Sequence, residues 1–266
     1  MRKPGRVLIV AGSDSGGGAG VQADIKTVTC LGGYAATAIT AITVQNTLGV
    51  ADIVEVPAKT VADQMVAVLD DIGADAIKTG MLHRVDVIEA VAAVLADKAG
   101  DIPLVLDPVM VAKGGASLIA DDATAAMKTL LIPKATVITP NLPEASALIG
   151  KEIDGSDRIE CLQEAFLALG AKAVLLKGGH MRGDTLVDTL FRVARKPLRL
   201  AGPRIETRHT HGTGCAMASA LAAGLALGLS LEDAFPRARD YVFRAIETAP
   251  GFGKGHGPLN HRVGIE

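Results

Sequence analysis

The sequence predicts an α/β fold: a central, mostly parallel β-sheet flanked by helices on both faces. Three observations carry that reading. Short apolar runs alternate with segments of helical period along the whole chain. Of the 266 residues, 49% are hydrophobic but only 3% aromatic, with no tryptophan. A core of Ala, Val, Leu and Ile suits strands buried on both faces under Ala-rich helices. Third, glycine and polar clusters follow the strand-like runs, where an open parallel sheet binds its ligands.

Residues 6–11 are strand-like and enter a glycine loop over 12–20. Val21, Ile25, Val28 and Leu31 then share one face of a helix over 21–31. Strands are expected at 35–44 and 53–56, a helix at 61–69, a strand at 74–78 and a helix at 85–96. Brief buried strands at 104–106, 136–138 and 173–176 are separated by helical runs. Segments 185–191 and 198–200 read as a hairpin around the basic turn 192–196, and 214–227 and 231–246 as helices. No repeat, low-complexity tract or linker interrupts this alternation, so one domain over 1–266 is expected.

Bulk properties narrow the function. Lys plus Arg total 27 against 29 Asp plus Glu, a formal charge of −2. Without a basic surplus or stacking aromatics, nucleic acid is not an expected partner. Met1, Arg2 and Lys3 resemble a signal n-region, but the apolar run 7–11 is too short to follow it as an h-region. No run of 18 apolar residues offers a membrane span. Cys30, Cys161 and Cys215 are odd in number and widely spaced, which points to a reducing, cytoplasmic setting.

Five polar loops follow the expected strands, around Gly12–Gly20, Lys78-Thr79-Gly80-Met81, Asp107-Pro108-Val109-Met110, Thr139-Pro140-Asn141-Leu142-Pro143-Glu144 and Lys177-Gly178-Gly179-His180. A sixth motif, Thr210-His211-Gly212-Thr213-Gly214-Cys215, opens a helix of small residues. Glycines ahead of a helix let N–H groups face an anion and suit a phosphoryl group in transfer. The same residues also make an ordinary glycine turn, and neither Walker A nor GxGxxG is present. Cys215 in the first helical turn is expected to have a lowered pKa and to serve as nucleophile or base, or else to be a packed thiol. Asp24 reads either as a pocket residue or as a helix N-terminal acid. The Gln45 amide donates and accepts together, which suits an aminopyrimidine edge, and a turn is the alternative. Asp107 and Glu144 are candidates for Mg²⁺ through water, although Glu144 also suits a helix start after Pro143. Lys177 can reach phosphates as a point charge or lie solvated. None of the six histidines has zinc-type spacing, and His209 and His211, two apart in a loop, are only a weak metal signal.

Taken together, the run Ala11–Asp24, Val44-Gln45-Asn46-Thr47, Asp107-Pro108-Val109-Met110, Thr139-Pro140-Asn141-Leu142-Pro143-Glu144, Lys177-Gly178-Gly179-His180 and His211-Gly212-Thr213-Gly214-Cys215 resemble the hydroxymethylpyrimidine/phosphomethylpyrimidine kinases of thiamine biosynthesis, members of the ribokinase-like superfamily. The likeness runs from Val7 to His261. The resemblance implies a ribokinase-like α/β domain, a homodimer, ATP and Mg²⁺, and two successive phosphorylations. It implies that Gly12, Asp24, Gln45, Met81, Val109 and Cys215 line a pyrimidine pocket. Asn141, Lys177, Thr213 and Gly214 would handle the nucleotide, with Asp107 and Glu144 organising the metal. Cys215 would be the base, with Lys177 and the Gly212 and Gly214 amides holding phosphoryl charge. Pyridoxal kinase is the nearest alternative. A non-catalytic pyrimidine sensor and a Cys-nucleophile hydrolase are the alternatives from other classes.

Overall fold

Val7, Ile9 and Ala11 point to one side of strand β1 (Arg6–Asp14), Leu8 and Val10 to the other, and all five are buried. That period-two alternation on a strand covered on both sides governs the architecture. In the computed structural model the described residues are 3–110, 121–153, 162–180 and 183–263. After β1 come α1 (Gly20–Cys30), β2 (Tyr34–Asn46), β3 (Gly49–Glu55), α2 (Ala58–Asp71), β4 (Ala76–Thr79), α3 (Val85–Lys98) and β5 (Leu104–Leu106). The chain continues through α4 (Asp121–Ala126), β6 (Val137–Ile138), α5 (Leu142–Ile149), α6 (Gln163–Leu167) and β7 (Ala173–Leu176). It ends with the hairpin β8 (Thr185–Arg192) and β9 (Leu198–Pro203), then α7 (Thr213–Ala226) and α8 (Leu231–Glu247).

The strands form one sheet in the order β3-β2-β1-β4-β5-β6-β7-β8-β9. The six from β2 to β7 in that order are parallel, and β3, β8 and β9 join antiparallel at the edges. On one face, Leu8, Ile77, Leu106 and Val174 pack with Met65 of α2, Ile88 of α3, Leu148 of α5 and Phe166 of α6. On the other, Val7, Ile9, Val105 and Leu175 meet Val28 of α1, Ala220 of α7 and Phe235 of α8. Every residue of α7 from Ala216 to Gly224 is buried. An Ala-rich helix apolar all round has no face to give to water, so it lies between the sheet and α8. A Cβ on Gly224 would stand 2.8 Å from the Ala234 Cβ, so a glycine there admits α8.

One boundary differs from the sequence reading in a way that shapes the site. Strand β1 does not stop at Ala11. It pairs with β2 through Ser13↔Ile42 and Asp14↔Thr43, after a register shift between Ala11 and Ser13. Gly12 therefore lies within the strand, at that irregularity. A Cβ on it would come within 2.6 Å of Met81 Cε. The glycine loop shortens to 15–19, and the Asp14 carboxylate becomes a strand-end group. Strand order reverses between β1 and β4, which places a crevice beyond their carboxyl ends.

Candidate active site

A cavity of about 920 Å³ opens at that crevice, within the range of roughly 300–1,000 Å³ common for small-molecule sites. The ends of β1, β4, β5, β6 and β7 and the start of α7 all reach it. Gly12, Gln45, Met81 and Val109 line one part of the wall. Asp107, Asn141, Glu144 and Lys177 line another, together with Gly212, Thr213, Gly214 and Cys215. Cys161 lies outside the described residues.

The glycine loop after β1 and the glycine turn before α7 are built against each other. Asp14 accepts hydrogen bonds from the N–H groups of Gly16 (2.8 Å), Gly18 (3.1 Å) and Ala19 (2.8 Å), and its Oδ2 lies 2.9 Å from His211 Nε2. Burial works against this carboxylate, but His211 and the backbone donors outweigh it and hold its pKa below the ordinary value. Gly212 has a φ of +86°, and a Cβ there would meet Gly18 O at 1.8 Å. Only glycine fits that crossing. The C-terminal segment completes the seam: His211 N–H donates to Gly257 O at 3.1 Å, and His256 N–H to Thr47 O at 2.9 Å.

Beside this seam the charged groups alternate in sign. Lys177 Nζ is 3.0 Å from Asp107 Oδ1 and 3.8 Å from Glu144 Oε2. Burial opposes the ammonium charge, but Asp107 and Glu144 outweigh it and raise the Lys177 pKa. A Cβ on Gly214 would stand 3.1 Å from Lys177 Nζ, so glycine lets the helix start approach the cation. Gly214 and Cys215 lie in the first turn of α7, whose N–H groups have no carbonyl partner within their own helix. Asn141 caps α5 in a reciprocal box: Glu144 N–H donates to Asn141 Oδ1 at 2.9 Å, and Asn141 N–H to Glu144 Oε2 at 2.7 Å. Glu144 thus serves the helix start and the cavity together.

Two expectations need correction. Asp24 does not line the cavity. It is fully buried beneath the wall, accepting from Lys78 Nζ at 2.7 Å and Ser219 Oγ at 2.6 Å. The side chain that reaches the cavity is Lys78, which the sequence reading left unassigned. Burial disfavours the Lys78 charge, but Asp24, then Cys215 and Asp107, reverse that and raise its pKa. Burial also pushes the Asp24 carboxyl up. With 2.7 Å between them we take the pair as ionised, since each charge would otherwise be stranded. The second correction concerns Cys215. Its pKa is not lowered: burial pushes the thiol up to about 11, with Asp24 and Asp107 adding to the rise. Lys78 and the Gly20 N–H offset only part of it. The residue nonetheless stays partly accessible on the cavity wall.

Burial, then the charge of Asp107, lifts Glu144 from 4.5 to about 7, against Lys177. A carboxyl raised in the folded state binds its proton more tightly there than in the unfolded chain. Stability therefore falls as pH rises from about 4.5 towards 7. Glu144→Gln keeps an acceptor for Asn141 and removes the titration. Thermal melts from pH 4.5 to 7.5 should show a smaller loss of Tm in Glu144→Gln than in the unaltered protein. Equal slopes would contradict the shift.

Comparison with known proteins fits this geometry. The phosphomethylpyrimidine kinase family model matches residues 14–260. The chain is 46% identical over 256 residues to a hydroxymethylpyrimidine/phosphomethylpyrimidine kinase of Bacillus subtilis, covering 96% of this chain and 94% of that protein. It is 49% identical over 262 residues to a thiamine biosynthesis bifunctional protein of Geobacter sulfurreducens, covering 98% of this chain but only 53% of that longer relative. Among solved structures, an ADP complex of Bacillus subtilis pyridoxal kinase superposes with a TM-score of 0.88 at 35% identity, covering 97% of this chain and 98% of that one. The sheet is accordingly ribokinase-like, and the chain belongs to the phosphomethylpyrimidine kinase family.

Proposed function

We propose that the protein transfers the γ-phosphoryl group of ATP to the hydroxymethyl oxygen of 4-amino-5-hydroxymethyl-2-methylpyrimidine, and then phosphorylates the monophosphate, in thiamine biosynthesis. The observation that carries this reading is the N-terminal turn of α7 set directly beside the Lys177–Asp107 pair in the cavity wall. Unpaired helical N–H groups and a fixed ammonium suit charge spread over the oxygens of a phosphoryl group in flight. Gly12, Gln45, Met81, Val109 and Cys215 form the alcohol side of the pocket. Leu186, Val242, Phe243 and Ile246, also in its wall, offer apolar surface for the nucleotide base. Asn141, Lys177, Thr213 and Gly214 handle the nucleotide's phosphates.

No cage of three or more His, Cys, Asp or Glu side chains occurs among the described residues. Asp107 and Glu144, two cavity carboxylates, instead fit Mg²⁺ bound largely through water and phosphate oxygens. Held by these two residues, the ion would supply positive charge to offset that of the phosphates. In the transfer, the hydroxyl oxygen bonds to the γ-phosphorus as the bond to the β-bridging oxygen breaks, and the hydroxyl proton must leave. Cys215 takes it as thiolate, and Lys78 beside it favours that form. With a thiol pKa of about 11, the thiolate is scarce near neutrality.

Likeness to a pyridoxal kinase supports a second reading, in which the hydroxymethyl of a pyridine ring also enters this pocket. The β2–β3 ribbon supports a homodimer. Ile42 and Val54 form a cross-strand pair and, with Val44, are each more than half exposed, an apolar strip suited to a second copy. The described helices include none long and apolar enough to cross a membrane, in keeping with a cytoplasmic enzyme. One sheet running from β1 to β9 supports a single domain.

Mass analysis of the pyrimidine alcohol incubated with enzyme, ATP and Mg²⁺ should reveal one and then two added phosphates. No ATP consumption in that mixture would refute the kinase reading, and parallel turnover of pyridoxal would measure the second. If Cys215 thiolate is the base, kcat should climb about tenfold per pH unit below pH 10, and Cys215→Ala should lose on the order of 10²–10⁴ in kcat. A flat profile, or a Cys215→Ala variant of near-normal kcat, removes it from that role. Sedimentation equilibrium should give twice the 27.3 kDa chain mass, and Ile42→Asp should return the single mass. A monomeric unaltered protein would rule the dimer out.

A further inference from the structure

Hydrogen-bond accounting around Gln45 yields an assignment that its shape alone does not. One terminal atom of its carboxamide, Nε2, lies 3.4 Å from His211 Nε2, and the other, Oε1, lies 3.0 Å from Thr43 Oγ1. His211 Nε2 is also 2.9 Å from Asp14 Oδ2. Asp14 already gathers three backbone N–H donors and is held ionised, so it can only accept, and the His211 proton must sit on Nε2. A second neighbour on that side must then be an acceptor too, which an amide nitrogen is not.

The other end of the amide gives the same answer independently. Thr43 Oγ1 is 2.8 Å from the carbonyl oxygen of Ser13. A hydroxyl has one proton, and a carbonyl can only accept, so Thr43 donates to Ser13. Its lone pairs are what remain for Gln45, and they need a donor. Exchanging O and N of the amide leaves its outline unchanged and satisfies both neighbours. The framework behind it is closed as well: Gln22 accepts from Asp14 N–H at 2.9 Å and donates to Ser13 Oγ at 2.8 Å. Thr43 itself is buried, only 5% exposed.

We infer that Thr43 and His211 fix the Gln45 carboxamide with its oxygen towards His211 and its NH₂ towards Thr43, making Thr43 a specificity-determining positioning residue. The inference rests on the kinase reading above. So held, the amide keeps one N–H and one oxygen lone pair side by side for the cavity. That pair matches a ring nitrogen next to an exocyclic amino group, which accepts and donates at the same spacing. A ring without the amino group uses only half of it. Without the Thr43 hydroxyl, only the longer 3.4 Å contact with His211 opposes the amide turning over and presenting the wrong order of donor and acceptor.

The test compares the 4-amino pyrimidine alcohol with the analogue bearing hydrogen in place of the amino group, in the unaltered enzyme, Thr43→Val and Thr43→Ser. The expected result is a kcat/KM preference for the amino substrate that falls about five- to tenfold in Thr43→Val, chiefly through KM, the size of one hydrogen bond. Thr43→Ser should keep the preference. Because the ratio is internal to each variant, a general loss of folded enzyme cancels. If Thr43→Val lowers both substrates equally, or Thr43→Ser loses the preference as fully as Thr43→Val, the positioning role is overturned. No turnover of either alcohol by the unaltered enzyme would bring down the kinase reading, and this inference with it.

Discussion

The clasp between Asp14 and His211 is the constraint on which the rest of the cavity depends. A carboxylate at the end of β1 collects three loop N–H groups and one imidazole N–H. Through the first it shapes the glycine loop, and through the second it draws the turn ahead of α7 against that loop. Gly18 and Gly212 are packed so closely that a methyl group on either would collide with the other strand of the clasp. The N-terminal end of α7 is therefore held by the first strand of the sheet.

Around that clasp, stability and chemistry use the same charges. Asp24, Lys78, Asp107, Lys177 and Glu144 alternate in sign from beneath the wall to its surface. Each buried charge is tolerable because its neighbour has the opposite sign, and removing one member strands the next. The arrangement costs desolvation, and the raised pKa values of Glu144 and Cys215 are where that cost is visible. In return, the ammonium of Lys177 is held in a fixed place on the cavity wall by Asp107 and Glu144.

The fold was legible because its signals are local. Buried strands such as 104–106 and 173–176 appear in the sequence as bare apolar runs, and the edge hairpin as two such runs around basic residues. Parallel order and the loops at strand ends follow from the alternation. What was not legible depends on partners distant in sequence. Asp24 occupies the same helical position whether it faces a ligand or a lysine 54 residues away. Lys78 carried a usable signal, a cation at the end of an apolar strand, whose cost of burial implies a partner. The thiol of Cys215 was misjudged because the helix terminus is a modest local influence. Enclosure by α1, β4 and α7 is not local, and it sets the sign.

The seam joining the two ends of the chain also has a consequence for how the molecule comes into being. Asp14 meets His211 across 197 positions, Asp24 meets Ser219 across 195, and Thr47 meets Gly255 across 208. Contacts of such separation carry a large loop-closure entropy and are made late when a chain collapses. On a ribosome, the early strands can pair long before residues 211–257 emerge. In a nascent chain that has not yet exposed residues 211–257, the crevice lacks the wall that those residues supply.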